Sequence, residues 1–263
     1  LELNRSVGGL AFRGTARALW QSGAVSDLSL AGRYEPPDEN LSIQLQASGL
    51  PPTDLAAMDP NLAPLERLKA TLAANADLKM RLGTDHIEGR VELSTTAGRF
   101  NLPEHLANPV PLGGGSITVN LSDGGHVIAV DASLDIGGPL VAIRAQLGRG
   151  GTGWGLLVDG GITDLPLNDL RTYWPPDFNP GTHAWITENL RDGKVDGVTL
   201  RLQGWMDGLD IESLQVDELT GKIDFSGVST HYYRPLPPVV NSNGSATFNE
   251  TSFDIQIYSG QLR

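Results

Sequence analysis

The sequence predicts a mainly β protein whose strands run antiparallel in consecutive hairpins. Three observations lead there. Apolar and polar residues alternate with a period of two along much of the chain, and Gly- and Asp-bearing turn signals separate the alternating runs. With 32 Gly and 17 Pro in 263 residues, long helices are disfavoured.

In chain order, Leu41, Ile43, Leu45 and Ala47 alternate with Ser42, Gln44, Gln46 and Ser48, the first well-marked strand. Between residues 51 and 72 the period changes. A helical turn is expected around 54–57, then a short helix on which Leu65, Leu68 and Leu72 share a face. Strand period returns with Ala76, Leu78, Met80 and Leu82 against Asp77, Lys79 and Arg81. From Gly113 to Ile162 four consecutive strands are expected. Ile117, Val119 and Leu121 mark the first, and Ile128, Val130, Ala132, Leu134 and Ile136 the second. Asp123-Gly124-Gly125, Ile136-Gly137-Gly138-Pro139 and Arg149-Gly150-Gly151 supply their turns, with residues that accept positive φ at low cost. A second helical interruption lies between 165 and 190: a turn at 167–170, the Pro175-Pro176 break, and a helix near 179–190. Val198, Leu200 and Leu202 follow, and late in the chain Phe253, Ile255 and Ile257. Each run has one apolar and one wet face, unlike the two-sided apolar runs of parallel sheets.

The two interruptions also repeat. Ser48-Gly49-Leu50-Pro51 followed by Asp54-Leu55 corresponds to Thr163-Asp164-Leu165-Pro166 followed by Asp169-Leu170, roughly 115 residues later. Gly89-Arg90-Val91-Glu92-Leu93 resembles Gly221-Lys222-Ile223-Asp224-Phe225, and Gly115-Ser116-Ile117 resembles Gly244-Ser245-Ala246. The expected organisation is a first module over 1–162, with its helical insertion near 51–72, and a second over 163–263, with its helix near 179–190.

The 31 acidic and 19 basic residues give a formal charge of -12, which argues against a nucleic-acid partner. Cysteine is absent, removing disulfides, thiolate catalysis and Cys-zinc sites together. No apolar run approaches the roughly 20 residues of a membrane helix. The opening Leu1-Glu2-Leu3-Asn4 has neither initiator Met nor signal character, so the chain is expected to be a segment of a longer protein.

No pattern points to catalysis. His86, His105, His126, His183 and His231 are each at least 19 residues apart, so none forms a local metal-binding pair. The acidic pairs Asp131/Asp135 and Asp207/Asp210 read as the wet side of a strand and a turn, not as an acid and base across a sugar cleft. Neither a Gly-x-Ser-x-Gly elbow nor a phosphate-binding loop occurs. The aromatic cluster at Tyr173, Trp174, Phe178 and Trp185 reads as packing of a short helix on a sheet end, or as a rim that touches an apolar ligand.

One-faced strands must bury their apolar side against something. A sandwich, a closed barrel or a curled sheet lining a trough would each serve, and the alternation does not choose among them. An uncovered apolar trough is costly, at about 25 cal/mol per Å², unless a hydrophobic partner fills it.

The most specific text in the chain runs from Leu165-Pro166-Leu167-Asn168-Asp169-Leu170 through Tyr173-Trp174-Pro175, Trp185 and Gly193-Lys194-Val195-Asp196-Gly197-Val198, and continues at Tyr232-Tyr233-Arg234-Pro235-Leu236-Pro237-Pro238. It resembles the AsmA-like superfamily of Gram-negative bacteria, particularly its YhdP-type proteins. Pro175-Pro176 departs from the single proline usual there. The resemblance implies a curled antiparallel sheet with short helices, forming an elongated groove (a β-taco). It implies a periplasmic part of an inner-membrane-anchored, bridge-like lipid transfer protein, linked to phospholipid movement and outer-membrane integrity, and it supplies no catalytic residue, metal or cofactor. The expected partners are phospholipid acyl chains and neighbouring β-groove modules of the same protein. On this reading Leu78, Met80, Leu82, Ile117, Val119, Leu121, Ile128, Val130, Leu134, Ile136, Val198, Leu200, Leu202, Phe253, Ile255 and Ile257 line one apolar surface. Lys79, Arg81, Asp131, Asp135, Arg201 and Gln203 face water. The alternative is a structural or adhesive β repeat module with a dry core and no ligand.

Overall fold

Alternation of this kind produces strands, and tight turns leave each strand beside its predecessor. The computed structural model describes residues 2–6, 9–36, 38–177, 180–231 and 235–262. Its strands are β1 (Glu2–Ser6), β2 (Gly9–Leu19), β3 (Val25–Glu35), β4 (Asn40–Leu50), β5 (Leu68–Lys69) and β6 (Leu72–Arg81). Next come β7 (Ile87–Thr95), β8 (Gly98–Phe100), β9 (Val110–Leu112), β10 (Gly114–Ser122), β11 (Val127–Asp135) and β12 (Leu140–Gly150). The last are β13 (Gly153–Pro166), β14 (Leu190–Arg191), β15 (Lys194–Met206), β16 (Gln215–Thr230), β17 (Val239–Asn249) and β18 (Phe253–Leu262). The helices are α1 (Pro52–Ala56), α2 (Leu170–Tyr173) and α3 (Pro180–Asn189).

One antiparallel sheet takes all of these strands except β5, β8 and β9, which form a small sheet of their own. The large sheet follows the order β1-β2-β3-β4-β6-β7-β10-β11-β12-β13-β15-β16-β17-β18, with β14 added beside β16. Among the described residues β1 pairs only with β2 and β18 only with β17, so the sheet has two free edges and is not closed into a barrel. Mainly β, with few short helices, it is consistent with a curled groove. The four strands expected between Gly113 and Ile162 are β10 to β13.

Connections alternate between the two ends of the strands. At one end they are short turns, at 36–39, 82–86, 123–126, 151–152, 207–214 and 250–252. At the other end lie both helical insertions and the small sheet, together with short turns at 20–24 and 136–139. The expected helix through Leu65, Leu68 and Leu72 is instead a 3-10 helix, Pro60–Arg67, and Leu68 and Leu72 belong to β5 and β6. Pro64 lies inside that segment and removes an N–H that a regular α-helix would use. The second interruption forms as expected, with α2, a break, and α3. The Asn179 position lies outside the described residues.

The repeated text occupies equivalent places. Gly49 (φ 71) and Asp164 (φ 56) both turn the backbone just before a buried leucine, Leu50 or Leu165, and a proline that opens the insertion. Arg90 pairs with Glu92 at 2.5 Å on β7, and Lys222 pairs with Asp224 at 2.8 Å on β16. The boundary at 162/163 falls inside β13.

Candidate functional site: the apolar face of the sheet

Register decides which side chains share a face, because pairing partners on adjacent strands point the same way. One row runs Leu45, Ala76, Val91, Val119, Val130, Ala145, Val158, Leu202 and Leu219 across β4 to β16. Another runs Ala47, Ala74, Leu93, Ile117, Ala132, Ile143, Gly160, Leu200, Gly221, Phe248 and Phe253, reaching the β18 edge. These rows are two residues apart, about 7 Å by strand geometry, and run perpendicular to the strands.

Leu78, Met80, Ile117, Val119, Leu121, Ile128, Val130, Leu134, Val198, Leu200, Leu202, Phe253, Ile255 and Ile257 all fall on this face. Leu82 and Ile136 lie one residue beyond the ends of β6 and β11 and have no register partner. Lys79, Arg81, Asp131, Asp135, Arg201 and Gln203 fall on the opposite face.

Aromatic rings cover glycines on the apolar side. A Cβ on Gly32 would come within 2.2 Å of Phe12, and one on Gly221 within 2.2 Å of Phe248, so neither site has room for a larger residue. Phe248 stacks with Phe253 at 6.3 Å.

The opposite face is a charge ladder. Register aligns Asp131, Arg144, Asp159 and Arg201 in one row, with Arg144 to Asp131 at 3.3 Å and Arg201 to Asp159 at 3.6 Å. Arg17 and Asp27 pair likewise at 3.0 Å. All six are well exposed, so each pair adds little stability, but opposite signs in line penalise a slipped register. Shallow hollows of about 700, 550 and 620 Å³ lie over this polar side, among residues such as Arg17, Asp27, Asp77, Arg90, Asp131 and Arg144. A twisted sheet is concave along one diagonal on each face, so hollows there are geometric.

Most buried apolar residues sit at the insertion end. Leu165, Leu170 and Val195 form a core against which Ile162, Val198, Ile223, Tyr173, Trp174 and Ile186 pack. The second insertion therefore covers the apolar face at that rim. Trp174 meets His183 edge-on at 5.8 Å, while Trp185 is exposed. Burial, then the charges of Asp169 and Asp135, hold the Tyr173 phenol above its ordinary range. Phe178, Tyr232, Tyr233 and Arg234 lie outside the described residues. Away from this rim the face stays open: Ile117 is 42% and Ile255 50% exposed.

The chemically suggestive residues are occupied structurally. Asp135 accepts from the Gly137 N–H (2.8 Å) and the Gly138 N–H (3.1 Å), which shapes the following turn. His105 lies 2.6 Å from Asp177, joining the β8–β9 connection to the second insertion, and His86 lies 3.6 Å from Glu88. Among the described residues no three His, Cys, Asp or Glu side chains converge on a metal position, and no helix is long and apolar enough to cross a membrane.

Sequence reasoning missed the contribution of β2 and β3, where Phe12, Gly14 and Ala16 pair with Gly32, Leu30 and Leu28 on the apolar face. Their small residues weaken the hydrophobic contrast on which period reading depends.

A sequence model of the YhdP protein family matches residues 22–263. No curated protein and no solved structure shows significant similarity to the chain. The family match covers nearly all of the sheet whose apolar face is described above, and the chain belongs to the YhdP protein family.

Proposed function

We propose that the chain is a periplasmic segment of a bridge-like lipid transfer protein, anchored in the inner membrane through another part of the polypeptide. In this reading phospholipid acyl chains travel along the apolar face between inner and outer membranes. One observation carries it: from β2 to β18, among the described residues that have a register partner, the one charged side chain on that face is Arg149, and it lies at the turn-side rim. Acyl chains bind such a surface by non-directional burial, so chemical selectivity along the rows is weak. Membership in a lipid-transport-related, envelope-associated family supports the same reading.

The dry-core alternative meets a difficulty in the surface area. The chain exposes 16251 Å², whereas a compact monomer of 28.0 kDa exposes about 11,100 Å². A sandwich that sealed its faces would lie near the smaller value.

The free β18 edge fits a neighbouring β-groove module of the same protein. All ten residues of β18 are exposed, and the edge carries neither Lys nor Pro to discourage pairing. An added strand would extend the rows that end at Phe253, Ile255 and Ile257.

The test is mass spectrometry of the natively purified protein for co-purifying phospholipid. Wild type is expected to carry it. Val130→Asp and Leu200→Asp, which put a charge in the rows, are expected to lose most of it, while Thr199→Asp on the polar face retains it. Folded wild type that carries no lipid and takes none from vesicles would refute the reading.

A further inference from the structure

We infer that the turn-side rim holds a headgroup site centred on Arg149, and that its ligand is a zwitterionic phosphodiester lipid. The phosphate sits on the guanidinium and the ammonium faces aspartates of the flanking turns. This inference rests on the lipid-carrying reading above.

Arg149 follows Leu147 on the apolar face, and register sets it opposite Trp154, which in turn pairs with Met206. The only further charged residue that the register puts on this face is Arg5, opposite Leu10 on β1 at the same rim, among the described residues. Both are cations in a chain that carries 31 acidic residues. Arg17, Arg33, Arg67, Arg90, Arg144 and Arg201 each hold a carboxylate partner. Arg149 is exposed and makes no ion pair among the described residues. A guanidinium free of carboxylates, beside an apolar surface, offers a planar fork of donors to phosphate oxygens. The acyl chains of the same lipid would continue onto Leu147, Ile128 and Leu156, which share one row.

The flanking turns decide the class of headgroup. The Arg149 N–H donates to the His126 carbonyl at 2.8 Å, and the His126 N–H to the Asp123 carbonyl at 3.1 Å, so the turn bearing Asp123 lies alongside. On the other side Asp207 follows Met206 directly. Acidic residues also occupy the turns at 36–39, 82–86 and 250–252, and no Lys or Arg lies in any of the six turns. Carboxylates in the turns on either side of Arg149 disfavour a headgroup of net negative charge there. A headgroup with both phosphate and ammonium meets an opposite charge at each end.

The experiment is lipid uptake by the purified protein from mixed vesicles of dioleoyl phosphatidylethanolamine and dioleoyl phosphatidylglycerol in equal parts, with a small fraction of dioleoylglycerol. Recovered protein is analysed by mass spectrometry. Wild type is expected to take up more phosphatidylethanolamine than phosphatidylglycerol. Arg149→Gln should lower uptake of both phospholipids about two- to fivefold, the range of an exposed ion pair, and leave dioleoylglycerol unchanged. The dioleoylglycerol also reports that the apolar face is intact. Arg149→Lys should retain most phospholipid uptake, and Asp123→Asn combined with Asp207→Asn should raise the share of phosphatidylglycerol. Undiminished phospholipid uptake by Arg149→Gln, or a wild-type preference for phosphatidylglycerol, overturns the headgroup site and leaves the lipid-carrying reading standing. Wild type that takes up none of the three lipids overturns both.

Discussion

Val130 and Asp131 are adjacent in the chain and on opposite faces of the sheet: one joins a row of apolar side chains, the other lies 3.3 Å from Arg144. That parity was legible in the sequence, because a strand has a period of two and both charges of β11, Asp131 and Asp135, sit on one parity. Whether an apolar residue is buried was not legible, since burial depends on what covers the face. Leu165 is 6% exposed within the insertion core, while Ile255 on an edge strand is 50% exposed. Leu165→Ala should therefore cost about 2–4 kcal/mol in denaturant unfolding, the range of buried leucine truncations. Ile255→Ala should fall within about 0.5 kcal/mol of wild type in the same measurement, as expected of a side chain away from packed contacts.

The strand-to-insertion junctions are the elements that recur. At both, a positive-φ residue precedes a buried leucine and a proline. The repeated text revealed them, but the small sheet beside the first insertion was obscured because β5, β8 and β9 have only two or three residues each, too few to display a period. A Cβ on Gly49 would come within 2.7 Å of the Val25 carbonyl oxygen, and its backbone is left-handed at φ 71. Gly49→Ala should lower stability by about 1–3 kcal/mol, read from the unfolding midpoint. At the second junction, hydrogen bonds to Asp164 and then Asp196 hold the Lys194 ammonium above its ordinary range. Their stabilisation is fully present below the ordinary lysine range and is lost as pH rises through the raised value. Lys194→Met should accordingly remove a small alkaline decline in melting temperature.

At the scale of the whole molecule, the meander made strand order readable once the turns were identified, since consecutive strands pair. The choice among sandwich, barrel and open sheet was not readable, because all three use the same alternation. Fourteen strands at about 4.8 Å spacing give a sheet roughly 60 Å long. Small-angle scattering should return a radius of gyration clearly above the roughly 18 Å of a compact domain of this length. The central claim is that lipid runs along one face of this sheet, and site-specific photo-crosslinking along β11 tests it most directly. With a photoreactive amino acid placed singly from residue 128 to 134 and the protein loaded with phospholipid, adducts are expected at positions 128, 130, 132 and 134, with none at 129, 131 and 133. Adducts confined to the odd positions, or lipid-loaded protein that crosslinks at neither set, would contradict it.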